Sequence, residues 1–380
     1  TDISGPISIK PGFLQTKDLL LQTKSSEGFL SMSVENFTEP QVHFNFRGNH
    51  FKLSEFYDQP KAKPVENIAI AATARPADDF RKIPLLSKLK AQGEATLKTA
   101  DLDYAKVDNL LIKLNYDKLI LLVEPLSFNI YGGSISTTTR WDGTEKDPVT
   151  EQTLQVTGVD ANQFLTSYSE KAKDLVLGKL NTSFTLNFSG IKPEEIQKSL
   201  KGKGEFSLKD GYLKTIRLTQ EPLESLKKIP LISNKITKTD WDEKFNDFKG
   251  MFSVENSKLL ISNILFKSPY FEGSSQSAAV GFDQSLVAAI TLIPNETLLP
   301  DGVADMIRDE NGKPSIPILL GGQLKAPTIA FDSNTLLPRT KDYLVRQAEK
   351  EKERELTEIK NKAAGEAKKI LKNKLGNFLK

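Results

Sequence analysis

The chain has 380 residues, no cysteine and a formal net charge of +3. The missing cysteines exclude thiol catalysis, disulfides, iron–sulfur clusters and thiolate zinc sites, and the small charge gives no argument for a nucleic-acid partner. No run of 18 apolar residues occurs, so we expect no transmembrane helix. The start at Thr1, without an initiator methionine, indicates a processed or trimmed chain.

Strands with period-two alternation are predicted through most of the length. The apolar positions of the clearest strands are Val42, Phe44 and Phe46, then Leu110, Ile112, Leu114 and Tyr116, then Phe184, Leu186 and Phe188. Turn signals occur at Tyr131-Gly132-Gly133, Trp141-Asp142-Gly143, Lys209-Asp210-Gly211 and Gly321-Gly322. The pattern predicts a mainly β fold, either a long curved antiparallel sheet or an open, barrel-like groove, with a few short helices.

One strand pattern occurs twice. Each copy has an apolar strand, an aromatic–glycine turn, a strand of small residues and then an aspartate. The first copy contains the apolar run Leu119–Val123 and ends at Asp142; in the second, the predicted turn is Phe271-Glu272-Gly273 and the aspartate is Asp283. We therefore predict an elongated β domain over residues 1–335, with internal repeats at about 93–145 and 202–290.

Four short helices are predicted within the sheet. The first runs over Pro76–Leu89 and is limited or kinked by Pro84. The second begins at Asp160 as N-cap, and the third covers Lys192–Leu200, with Pro193 in its first turn. The fourth is Glu221–Leu231.

Residues 336–380 are predicted to form a separate, charged amphipathic helix, whose composition is clearest from about Lys341 onward. Apolar residues at three- and four-residue spacing form one stripe: Leu356, Ile359, Ala363, Ala367, Ile370, Leu371, Leu375 and Phe378. Glutamates crowd its first half and lysines its second. One interpretation is a solvated helix that caps the sheet or forms a coiled coil. The other is a cationic helix that contacts a membrane surface or a partner.

Catalytic and cofactor signatures are missing. His43 and His50 are seven residues apart on a predicted strand, which places them on opposite faces and argues against a shared metal site. Gly202-Lys203-Gly204 begins like a dinucleotide loop but lacks the third glycine and the following helix. Neither a nucleophile elbow nor a Walker A sequence occurs. We therefore expect no enzyme activity, no metal and no cofactor.

The segment Lys198–Leu218 resembles the AsmA family, whose pattern is L-x-G-x-G-x-x-x-L-x-D-G-x-L-x-x-I-x-L. Further segments that resemble the family are Pro40–Phe46, Leu126–Ser134, Thr157–Leu165, Phe248–Val254, Ser268–Gly273 and Gly322–Pro327. Together they cover roughly residues 40 to 332. Their order and spacing carry the resemblance, since each piece alone is a glycine-punctuated β pattern.

This resemblance implies a bacterial envelope protein related to bridge-like lipid-transfer proteins. Family members are usually held in the inner membrane by one N-terminal helix, which this chain lacks, with the rest in the periplasm. The implied partners are phospholipid acyl chains lying along an apolar groove, together with envelope proteins. The candidate lining residues are Val42, Phe44, Phe46, Ile112, Leu114, Phe184, Leu186 and Phe188.

Two functional hypotheses follow. The first is lipid binding and transfer that supports outer-membrane lipid homeostasis, with acyl chains shielded in the groove. The second is a non-enzymatic scaffold or outer-membrane assembly factor that binds protein through sheet edges and the C-terminal helix. An open apolar face favours the first hypothesis, and a core filled with side chains favours the second.

Overall fold

A single sheet of eighteen β-strands organises the chain. The structure is a computed structural model that describes residues 2–56, 79–103, 105–168, 170, 173–174, 176–213, 224, 227, 244–295, 299, 302–323 and 326–378. Strands make up 59% of it. The prediction of a mainly β fold is therefore confirmed.

The strands lie in chain order. They are β1 (Asp2–Ser4), β2 (Ile7–Lys10), β3 (Phe13–Gln22), β4 (Glu27–Glu35), β5 (Gln41–Lys52), β6 (Lys90–Asp101), β7 (Lys106–Asp117), β8 (Ile120–Ile130), β9 (Gly133–Asp142), β10 (Val149–Asp160), β11 (Val176–Ser189), β12 (Lys201–Leu213), β13 (Lys244–Glu255), β14 (Lys258–Lys267), β15 (Phe271–Gly281), β16 (Leu286–Pro294), β17 (Ile316–Gln323) and β18 (Ala326–Phe331). The helices of the described residues are α1 (Pro84–Lys88), α2 (Ala161–Tyr168), α3 (Pro193–Ser199), α4 (Val303–Met306) and α5 (Ser333–Phe378).

The sheet is a meander. From β3 onward each strand pairs with the next, and β1 and β2 both pair with β3. All pairs are antiparallel except β5 with β6, and parallel neighbours need a long crossover connection instead of a tight turn. The sheet is not closed into a barrel, which confirms the open form.

Bulges interrupt several long strands. Asp18, Asn109, Asp210 and Asn263 have φ values of 49°, 53°, 49° and 51°, and each lies where the pairing register shifts by a residue. Asp and Asn tolerate this left-handed region better than other side chains. Bulges bend a strand and increase its twist. The turn predicted at Lys209-Asp210-Gly211 is therefore wrong: these residues lie inside β12, where the positive φ serves a bulge.

Two-residue turns join several hairpins. Tyr131 and Gly132, with φ of 48° and 74°, connect β8 to β9, so the predicted turn is confirmed. Lys118 and Leu119 adopt nearly the same pair of angles between β7 and β8. Leu119 is therefore a turn residue and not, as predicted, the start of a strand. Such turns match the right-handed twist of the flanking strands.

Two predicted turns are strand residues. Phe271 begins β15, is buried and pairs with Pro294; the chain reverses just before it, where the Ser268 amide donates to the Phe271 carbonyl at 2.9 Å. Gly321 and Gly322 lie in β17 and pair with β18. Gly273 packs closely in its strand, since an added Cβ would lie 3.0 Å from Cδ2 of Leu292, whereas Gly322 has a φ of 86°.

The aspartates of the repeated pattern make the same local contact. The Thr144 hydroxyl donates to Asp142 at 2.6 Å, and the Ser285 hydroxyl donates to Asp283 at 2.7 Å. These hydroxyl bonds are the main reason that the pKa of each carboxyl lies below its usual value. Each aspartate thus organises the chain where a strand of the hairpin ends.

The helices agree with the predictions in part. Asp160 caps α2, since its carboxylate accepts from the Gln163 amide at 2.9 Å, and α3 begins at Pro193 as expected. The helix predicted from Pro76 is corrected, because α1 begins only at Pro84, where proline fits the first helical position. Residues 76–78 lie outside the described residues, as does most of the predicted helix at 221–231. The C-terminal helix α5 begins at Ser333, earlier than Lys341.

The carboxylate of Glu55 links the segment after β5 to the turn between β3 and β4. Glu55, just after β5, accepts hydrogen bonds from the hydroxyls of Thr23 and Ser26 and from the Ser25 amide in the turn between β3 and β4. The Thr23 hydroxyl contributes most to lowering the pKa of Glu55 to about 2. The ionised carboxylate therefore holds the turn against the end of β5.

We predict that Glu55→Gln lowers the thermal unfolding midpoint at pH 7. Because the folded pKa lies below the unfolded value, the carboxylate's contribution is complete above about pH 4.5 and disappears as the pH falls towards about 2. Thermal unfolding of both proteins between pH 2 and 7 should show their midpoints converging over that window. A constant gap across it would contradict the assignment, and Glu39→Gln is the surface control.

Candidate functional site

The register of the sheet places the apolar side chains on one face. Phe46 of β5 lies opposite Leu30 of β4 and Ala95 of β6. Ala95 in turn lies opposite Ile112 of β7, which lies opposite Leu126 of β8. Directly opposed residues point to the same side of a sheet. The same relation continues from β1 to β18, and we call this side the apolar face.

All the residues that the sequence suggested for a groove lie on the apolar face. They are Val42, Phe44 and Phe46 in β5, Ile112 and Leu114 in β7, and Phe184, Leu186 and Phe188 in β11. Each of these side chains is half-buried. The structure thus places the residues of these three strands on one face, with β11 four strands away from β7, while their contact with lipid stays a prediction.

The other face of the sheet is polar. Lys113 and Glu94 form a cross-strand ion pair at 3.5 Å, and Arg47 contacts Asp18 at 2.9 Å. These exposed pairs contribute little to stability, but they mark this side as hydrated. Two depressions of about 530 and 610 Å³ lie on it, over β5–β8 and β10–β14. The described sheet therefore has one largely polar side and one largely apolar side.

Exposure of the apolar face changes along the sheet. At the first strands, Ile3, Ile7 and Ile9 are 62%, 54% and 69% exposed, whereas Leu292 and Ile318 near the last strands are each 1% exposed. Between them the apolar side chains of the face are mostly half-buried. The face is thus open at β1 and β2 and filled at its last strands.

Two helices close the filled end. Val303 and Ile307, in and just after α4, are fully buried, and so is Leu336 in the first turn of α5. They belong to one hydrophobic cluster with the apolar face of β14–β17. This end of the sheet is therefore a conventional protein core, and both alternatives considered from the sequence, an open face and a filled core, occur in one molecule.

Short helical segments border the middle of the apolar face. On one side Phe164 of α2 packs on a buried cluster that contains Ile130 and Val159. On the other, the Phe80 ring meets Trp141 edge-on at 5.2 Å, and the Tyr116 hydroxyl donates to the Leu86 carbonyl at 2.9 Å. Both ends of the strands in the middle of the sheet are therefore covered by helical segments. We call the apolar face between these two borders the trough.

Glycines lie beneath the aromatic rings of the apolar face. A Cβ atom built on Gly28 would lie 2.4 Å from Cζ of Phe46, and one on Gly93 would lie 2.5 Å from Cδ1 of Phe44. Gly204 is covered by Phe184 and Phe252, whose ring centroids are 5.9 Å apart. Aromatic side chains commonly cover glycines on a neighbouring strand in this way.

The sequence reasoning missed these glycines. Gly202 and Gly204 were considered only as part of a dinucleotide loop, although Leu186 and Phe184 cover them. The available signal was glycine at alternate positions of a strand, which indicates close approach of another group.

The two histidines lie on β5, as predicted. His43 is exposed on the polar face, while His50 Nδ1 lies 2.8 Å from the Thr99 hydroxyl at the end of the strand. Within the described residues, no three potential metal-ligating side chains come together. What the site offers is apolar surface, which binds by exclusion of water.

The fold and the trough define a class of protein: an open meander sheet with one largely apolar face that crosses all its strands. The AsmA family model matches residues 52–258, which is more than half of the chain. The chain belongs to the AsmA family, a family of bacterial envelope proteins. The match is shorter than the predicted resemblance, so Pro40–Phe46, Ser268–Gly273 and Gly322–Pro327 lie outside it.

No curated protein and no solved structure matches the chain. Among the described residues, none of the helices has both the length and the apolar character needed to cross a membrane.

We predict different costs of truncation at the two ends of the apolar face. Ile318→Ala, in the filled end, should lower the free energy of unfolding by about 2–5 kcal/mol, the range for a buried aliphatic residue. Leu114→Ala, in the half-buried middle, should cost less than about 2 kcal/mol because less area leaves the protein interior. Urea denaturation of both variants measures the difference. Equal losses would mean that the middle of the face is also a closed core.

Proposed function

We propose that this chain binds phospholipid acyl chains along its apolar face and carries them between membranes of the bacterial envelope. It would act in the periplasm, support outer-membrane lipid homeostasis, and use no catalytic step or cofactor. The observation that carries this proposal is the largely apolar face, which crosses all the strands, is half-buried over many of them and is open at the first. Membership of an envelope family agrees with it.

The dimensions of the face fit the cargo. The acyl chains of one leaflet are about 15 Å long, half of a hydrocarbon core of about 30 Å. This length corresponds to about three strand spacings of roughly 4.8 Å. The half-buried stretch between β4 and β12 has eight spacings, or roughly 38 Å, so it is longer than a lipid tail.

Transfer would occur by partition. Each methylene that moves from a bilayer to the trough keeps its apolar surroundings, and exposing it to water would cost about 0.8 kcal/mol. A trough that covers most of two tails therefore removes most of the barrier to extraction. The polar headgroup would stay at the helix-bordered rim, where water is accessible.

A protein-binding scaffold is the second candidate. On the polar face of the last third of the sheet, four apolar side chains are exposed: Met251, Leu260, Val287 and Leu319. This surface interrupts the otherwise polar face and offers apolar area for another protein. The scaffold hypothesis predicts that the protein works without lipid in the trough.

We predict that Leu114→Glu reduces the amount of lipid that co-purifies with the protein. A carboxylate on the floor would lie against acyl chains, where an unpaired charge is very costly. Native mass spectrometry after gentle extraction counts the bound lipids. Asn115→Glu is the matched control, because Asn115 is the next residue of β7 and lies on the polar face.

Phospholipid at stoichiometric level in the native protein and the control, but not in Leu114→Glu, supports the proposal. Repeated absence of lipid from the native protein would favour the scaffold. Equal lipid in both variants would place the binding surface elsewhere.

We further propose that α5 contacts an anionic membrane surface. Its side chains from Leu344 to Lys369 are exposed, including Leu356 and Ile359 of the apolar stripe. Residues 360–380 carry seven lysines and one glutamate. A cationic helix with an apolar stripe favours the interface of anionic bilayers, where it would hold the trough near its lipid source. A coiled coil with another helix is the competing use of the stripe.

We predict that reversing Lys360, Lys362, Lys368 and Lys369 to Glu weakens binding to phosphatidylglycerol vesicles by more than about tenfold, since each cation contributes about 1 kcal/mol near such a surface. Vesicle sedimentation at two salt concentrations measures it. The matched control reverses four cations of the first half, Lys341, Arg346, Lys350 and Lys352. The same loss in the control would show that only total charge matters.

A further inference from the structure

We propose that glycines on the apolar face determine how thick a ligand the trough accepts, by letting aromatic rings lie flat on its floor. The ligand class that this favours is a lipid with two chains over one with a single chain. The inference rests on the proposed function and concerns Gly28, Gly204 and Gly250, with their partners Phe46, Phe252 and Phe206.

The geometry shows that the rings lie down. Cζ is the ring atom farthest from the backbone in phenylalanine, and a Cβ atom on Gly28 would lie only 2.4 Å from Cζ of Phe46. The tip of the ring therefore occupies the level at which a neighbouring side chain would begin. On Gly204 the corresponding distance to Cζ of Phe252 is 2.8 Å, and on Gly250 the distance to Cε1 of Phe206 is 3.0 Å.

Any larger residue at these positions would push a ring off the floor. At Gly28 and Gly204 the contact is below 3.0 Å, which real Cβ atoms essentially never show, so the ring must move. At Gly250 the contact is 3.0 Å, so the ring must give way by a few tenths of an ångström. Because the neighbouring strand lies beneath the ring, we expect the ring to rise into the trough. The trough would then become shallower over Gly28 and Gly250, while its apolar character would stay unchanged.

The positions differ in what a substitution would disturb. At Gly204 the added atom would also meet the Ser183 carbonyl oxygen at 2.4 Å, so it would clash with the backbone of the neighbouring strand and disturb strand pairing. At Gly28 the nearest backbone atom is the Arg47 carbonyl oxygen at 3.2 Å, and at Gly250 it is the Ser262 carbonyl oxygen at 3.3 Å. Alanine at Gly28 or Gly250 therefore acts mainly on the ring.

The test compares two lipids with one headgroup, dipalmitoyl phosphatidylcholine and palmitoyl lysophosphatidylcholine. Gly28→Ala should weaken binding of the two-chain lipid about tenfold, the effect of losing roughly two buried methylenes, and change single-chain binding less than about twofold. Gly250→Ala is the second variant, in case the first unfolds. Gly321→Ala is the control, because its Cβ would meet only the Thr328 hydroxyl at 3.4 Å.

A double-mutant cycle separates the ring from general damage. On a Phe46→Ala background no ring remains to be lifted, so Gly28→Ala should no longer change the ratio of the two affinities. Persistence of the effect without the ring would overturn the inference, as would equal weakening of both lipids by folded Gly28→Ala and Gly250→Ala. If the native protein binds neither lipid, the proposed function itself fails. If it binds both and the variants match it, only the inference fails.

Discussion

The structure depends on keeping the apolar side chains of every strand on the same face of the sheet, even where bulges bend the strands. Val156 and Val159 are three positions apart, which in a regular strand would place them on opposite faces, yet both are buried because Gly158 is absorbed in a bulge. Ile261, which is half-buried, and Ile264, which is buried, are likewise three positions apart across the bulge at Asn263. A slip of one residue would turn an apolar set to water. Each bulge thus bends the sheet and still returns the next residues to the apolar face.

The alternation of side chains between the two faces also explains which parts of the fold could be predicted from the sequence. Regular alternation predicted Phe44, Leu114 and Phe184 on a shared face, because that signal is local. The residues around Asp210 were misassigned, since a positive φ serves turns and bulges alike. The family resemblance and the open sheet were predicted correctly for the same reason. The spacing of glycines and apolar residues can be seen along each strand of the sequence.

The exposure gradient could not be predicted in this way. Whether Leu292 is covered depends on α4 and the start of α5, which approach it only in three dimensions. No local pattern separates it from Leu114, which is also an alternating strand residue. Burial stabilises chiefly the last third of the sheet and the cluster beside α2, while the exposed ion pairs of the polar face add little. The open strands are therefore held mainly by their neighbours.

The meander order has an evolutionary consequence. In a sheet whose strands mostly contact only the next strand in sequence, a hairpin can be inserted or deleted with two new joints and no other rearrangement, as in solenoid proteins. Each inserted hairpin would lengthen the apolar face by roughly 10 Å. The length of the trough is consequently a quantity that duplication can adjust in steps, independently of the closed end that stabilises it.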